Sequence, residues 1–146
     1  MSFRFSLAAV LTYRESLEHR EYIALEQIQQ EILRIEAHLL QVEEWRTTAA
    51  QQRSAELARG VSSVALQQAY EYELALERYR DLQQDKLREL KNRSKQQLKN
   101  YEVARQKRQV LDELRGHQFA AYTRAQARQQ QHLLDELFLA RRRRSQ

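Results

Sequence analysis

From Val61 to about Arg142 the chain runs some eighty residues with one glycine, Gly116, and no proline. Those are the residues that most disfavour a helix interior, so the stretch predicts one continuous α-helix. At roughly 1.5 Å per residue it would be about 120 Å long. No element of that length folds back into a globule, and everything before it reads as its partner. Ala, Glu, Lys, Leu and Arg make up just over half the chain, the composition expected of long helices and coiled coils.

Several function classes fall away at once. Without cysteine there is no disulfide framework, thiolate metal site or thiol nucleophile. No apolar run approaches the roughly 18 residues of a membrane span. The opening MSFRFSLAAVLTYRES has an arginine inside its short apolar stretch and acids soon after, which makes a poor signal peptide. The expectation is a soluble, unprocessed protein.

The net charge of +5 conceals a polarity. Residues 1–85 carry nine basic and fourteen acidic side chains, whereas residues 86–146 carry sixteen basic and six acidic. Such asymmetry fits a nucleic-acid arm, or one end built for an acidic partner. It also lets an acidic first helix lie against a basic second one.

Spacing predicts an all-α, antiparallel two-helix coiled coil, an α-hairpin whose second helix is the longer. Helix one is expected over about 3–58, with Ser2 or Ser6 as its cap. Leu25, Ile28, Ile32, Ile35, Leu39 and Val42 alternate spacings of three and four, an a/d seam. Upstream, Leu7, Val10 or Leu11, and Leu17 continue it, but the eleven-residue step from Leu17 to Ile28 predicts a stutter. The turn is expected at about 59–62, with Gly60 in the left-handed conformation and Ser62 or Ser63 capping helix two. Helix two, over about 63–141, shows an eleven-residue period: Ala65, Leu76, Leu87 and Leu98, with Gln68, Tyr79, Leu90 and Tyr101. Gly116 inside it predicts a bend or a local fray. With a turn near residue 60, residue i faces roughly residue 120 − i, so everything after about Phe119 lacks a partner in the chain. That overhang still carries Tyr122, Leu133, Leu134, Leu137, Phe138 and Leu139, and apolar residues without an internal partner imply an external one.

Catalytic patterns are missing. His19, His38, His117 and His132 have no metal-ligand spacing, and there is no Gly-rich phosphate loop or HExxH arrangement. A two-helix hairpin offers no cavity in which to shift a pKa. No catalytic residue, metal or cofactor is expected. Arg141 to Arg144 read either as a grip on phosphates or anionic lipid, or as a solvated terminus complementing the helix dipole. Residues 86–108 lack the stacking aromatics of a nucleic-acid platform, so no specific nucleic acid is expected. The stripe Tyr72, Leu76, Tyr79 and Gln83 reads first as core facing helix one. The seam opposite is weak, which leaves room for part of the stripe to meet a partner.

Two stretches carry a resemblance. The opening Phe3-Arg4-Phe5-Ser6-Leu7-Ala8-Ala9-Val10-Leu11-Thr12-Tyr13-Arg14-Glu15 resembles the start of the flagellar export protein FliJ family. Leu134-Asp135-Glu136-Leu137, followed by Arg141-Arg142, is similar to that family's closing segment and basic tail. The resemblance implies a non-enzymatic stalk of the flagellar type III protein export apparatus, similar in shape to the γ subunit of rotary ATP synthases. Implied partners are the hexameric flagellar export ATPase, the export gate membrane protein and the export chaperones. It also implies a cytoplasmic monomer, held at the inner face of the membrane through those partners. Phe3, Phe5, Leu7, Tyr122, Leu133, Asp135, Glu136 and Leu137 are then the expected contacts with the ATPase ring. Tyr72, Leu76, Tyr79 and Gln83 are the expected contacts with the gate, Tyr79 standing where the family usually has a smaller residue. A virulence-type secretion stalk has the same architecture. The alternatives are a basic scaffold binding nucleic acid or anionic membrane through residues 86–146, and a homodimer closed by the apolar overhang.

Overall fold

The computed structural model describes residues 2–146. It is an all-α helical hairpin of α1, Ala8–Arg59, and α2, Ser63–Arg144. The turn follows the chemistry of its sequence. Gly60 has φ +80°, in the region where a Cβ is penalised, and its N–H reaches the Leu57 carbonyl at 3.4 Å. Ser62 Oγ accepts from the Ala65 N–H at 3.3 Å, and the Ser62 carbonyl accepts from Leu66 N–H at 3.1 Å. Ser62 is therefore the N-cap of α2, satisfying a donor that the first helical turn leaves free.

The start of α1 departs from expectation. The helix begins at Ala8, several residues later than the sequence predicts, and its cap is neither Ser2 nor Ser6. The Ala8 N–H bonds to the Phe5 carbonyl at 3.1 Å, and the Leu7 carbonyl accepts the first helical bond, from Leu11, at 2.9 Å. The reason is packing: Phe5 is buried, and Phe3 sits edge-on to Phe119 with ring centroids 5.3 Å apart. A helix running back through Ser2 would give up these contacts, and aromatic burial outweighs one capping bond.

The hairpin packs as two units, residues 21–101 and residues 1–20 with 102–146. In the first, α1 turns inward Glu21, Leu25, Ile28, Ile32, Ile35, Leu39, Val42, Arg46, Ala49 and Arg53. Its partner face is Ala69, Glu73, Leu76, Arg80, Gln83, Leu87, Leu90, Ser94, Gln97 and Tyr101. Both series step by four and three, the heptad spacing of an a/d seam. The eleven-residue period is not what α2 buries: Leu98 and Gln68 are exposed, and Tyr79 lies at the margin. Polar residues with long stems hold the seam positions that an apolar count skips. Val42 is fully buried, at 0 % exposure, and Gln83 is 8 % exposed.

In the second unit Leu7, just before α1, and Leu11, Arg14 and Glu18 of α1 turn inward, and α2 turns inward Ala104, Arg108, Leu111, Gln118 and Tyr122. The stutter expected between Leu17 and Ile28 is absent, because Arg14, Glu18 and Glu21 occupy heptad positions between the apolar ones. Ion pairs fix the antiparallel register. Arg108 bonds Glu18 in this unit, and Arg53 bonds Glu73 in the other, so paired numbers add to 126 in both. α2 runs unbroken through Gly116, so no fray occurs there.

Candidate partner-binding surfaces

The unit holding the termini offers the first surface. Its base is the non-helical segment before Ala8, whose Phe3 lies 5.3 Å from Phe119 and 5.5 Å from Tyr122, centroid to centroid. Packing therefore reaches beyond Phe119, and the overhang starts later than the sequence predicts. Tyr122 is half-buried and its hydroxyl accepts from Gln126 Nε2 at 3.0 Å. From residue 127 to the last residue every side chain is exposed.

On this arm Leu133 is 59 % exposed and Phe138 66 %, with Leu134, Leu137 and Leu139 also open to solvent. Leu134, Asp135, Leu137, Phe138 and Arg141 line a shallow surface depression. Asp135 Oδ1 accepts from Gln131 Nε2 at 3.3 Å, one turn back, while Glu136 is exposed. Arg141 to Arg144 fill the last turn of α2, where basic side chains complement the negative end of the helix dipole. Of the eight residues first assigned to ring contact, Leu133, Asp135, Glu136 and Leu137 are presented on the arm. Phe5 is buried, and Phe3, Leu7 and Tyr122 are half-buried. These four hold the arm's base together and offer only edges.

Above that base lies a charged cluster that apolar spacing did not find. The Arg108 guanidinium bonds Glu18 across the hairpin and Asp112 one turn along its own helix. Those two hydrogen bonds, Glu18's first, raise the Arg108 pKa above its ordinary value and keep the group charged. A signal existed. Extending the four-three spacing from Leu7 and Leu11 regardless of polarity places Glu18 on the seam.

The unit around the turn offers the second surface. Tyr72 is 53 % exposed and Tyr79 is 39 %, whereas Leu76 and Gln83 are each 8 % exposed and belong to the seam. The stripe therefore divides: the tyrosines flank the seam on its solvent side and the other two support them from within. Trp45 of α1 is also exposed. A separate groove in this unit is lined by Glu43, Arg46, Arg53, Tyr70, Glu73 and Glu77 among others, and the Arg53–Glu73 ion pair forms part of its wall.

Among the described residues no group of three or more His, Cys, Asp or Glu comes together as a metal site. No described helix is long and apolar enough to cross a membrane. A family model described as flagellar FliJ protein matches residues 3–146. No curated protein and no solved structure matches the chain.

Proposed function

This chain belongs to the flagellar FliJ protein family, and from that premise we propose that it is a non-enzymatic stalk coupling the export ATPase to the export gate. Membership makes it a component of flagellar type III protein export. In this reading it works in the cytoplasm, at the inner face of the membrane beneath the flagellum. The hexameric export ATPase holds the arm through Leu133, Leu137 and the neighbouring acids Asp135 and Glu136. The gate membrane protein meets Tyr72 and Tyr79, with Leu76 and Gln83 holding the seam beneath them. Export chaperones are further partners.

The observation that carries this reading is that α2 outruns its partner while remaining apolar. Five large hydrophobic side chains stand more than half exposed between residues 133 and 139. On a chain with no opposing helix at that level, such residues are accounted for by a partner. A stalk of this kind acts by binding the states of a ring unequally, which shifts their populations and thereby its nucleotide turnover.

Deleting residues 134–146 tests the assignment. The segment is exposed throughout, so helicity of the remainder should be retained in circular dichroism. The truncated chain should fail to co-purify with the hexameric export ATPase, while Tyr72→Ala with Tyr79→Ala should co-purify normally. Retention by the truncated chain and loss by the tyrosine pair would reverse the two surfaces.

A further inference from the structure

The arm ends in four arginines that the ring contact does not use. At roughly 100° per residue, Arg141, Arg142, Arg143 and Arg144 radiate around the whole circumference of α2. Just upstream, Leu133, Leu134, Leu137 and Phe138 fall within an arc of about 140°. All four are more than half exposed. Arg141 and Arg144 project within the same arc, whereas Asp135 and Glu136 fall outside it.

We propose that this arm lies on an anionic lipid surface, with Leu133, Leu134, Leu137 and Phe138 at the boundary between headgroups and acyl chains and Arg141 and Arg144 among lipid phosphates. Two arguments converge on this occupant. At a lipid interface the stems of Arg141 and Arg144 lie along the apolar surface while the guanidinium reaches the phosphate plane. The charge is also of the right sign: residues 86–146 carry sixteen basic and six acidic side chains. The acids nearest the apolar arc lie away from it, so they face water when the leucines face lipid.

Lipid and ATPase ring would compete for Leu133 and Leu137, so the two contacts exclude each other. The lipid-bound form is then a store of chain at the membrane, released when a ring takes the arm. Lipid binding stands on the arm alone; only the release step rests on the ring reading.

The test is sedimentation of the full chain with vesicles of phosphatidylcholine containing roughly one quarter phosphatidylglycerol, at about 0.1 M salt. Binding should appear with these vesicles and vanish with phosphatidylcholine alone. Replacing all four arginines, Arg141→Gln to Arg144→Gln, should weaken it on the order of a hundredfold. Leu133→Ser with Phe138→Ser should also abolish it. In a Trp45→Phe background, Phe138→Trp should shift its emission to the blue on binding. Absence of binding to the anionic vesicles would overturn the proposal. So would binding that survives Leu133→Ser with Phe138→Ser and leaves the tryptophan emission unmoved, since that is adsorption of the basic half only. A chain that fails to bind vesicles yet co-purifies with the ATPase sinks the lipid surface and spares the stalk; the opposite pair of results does the reverse.

Discussion

At position 108 a guanidinium reaches from α2 to Glu18 of α1 and to Asp112 on its own helix. The Arg108 and Glu18 side chains are 25 % and 16 % exposed, between a surface pair and a buried one. Arg108→Ala should therefore lower unfolding free energy by about 1–3 kcal/mol in urea titration, more than an exposed pair loses and less than a fully buried one. Because the folded-state pKa of Arg108 is raised by its carboxylate partners, its stabilising share is fully present across neutral pH and, on the alkaline side, is lost only in strong alkali. The variant should accordingly show the same deficit across neutral pH. Gly116 gives a prediction of opposite sign. It lies inside α2, lacks a positive φ, and an added Cβ would meet nothing within 4 Å. Gly116→Ala should stabilise the hairpin by up to about 1 kcal/mol in the same titration.

At the scale of the helices, the seam explains what the sequence could and could not disclose. The turn was legible because Gly60 and Ser62 each have one strong local reason to sit where they do. The hairpin was legible because α2 holds no proline and a single glycine. Register was not. Gln83, Gln97, Arg80, Arg108 and Glu18 all occupy inward positions, and hydrophobic spacing reads straight past them to a false eleven-residue period and a false stutter. Their inward placement is tolerable because bonds and stems compensate: Gln97 Nε2 donates to the Glu21 carbonyl at 3.0 Å. Polar residues in a seam fix register at a cost in stability. Gln83→Leu should raise unfolding free energy by about 1 kcal/mol, measured by urea or thermal denaturation. For the candidate surfaces the sequence pointed to the overhang and to the tyrosine stripe. It did not separate Tyr72 and Tyr79 from Leu76 and Gln83, because burial on a four-three stripe depends on the register that the polar seam had hidden.

For the molecule as a whole, the division of labour follows from where apolar surface is left over. Leucines of the seam are spent on holding the hairpin. Leu133, Leu134, Leu137, Phe138 and Leu139 are not, and they lie on the part of α2 that follows its last packed turn. The central claim is that this arm is what drives the export ATPase. It is tested most directly by the ATP hydrolysis rate of the purified hexameric export ATPase, titrated with the native chain and with Leu133→Ser plus Leu137→Ser. The account predicts stimulation by the native chain and by Tyr72→Ala plus Tyr79→Ala, and none by the leucine pair. Full stimulation by the leucine pair, with loss in the tyrosine pair, would contradict it.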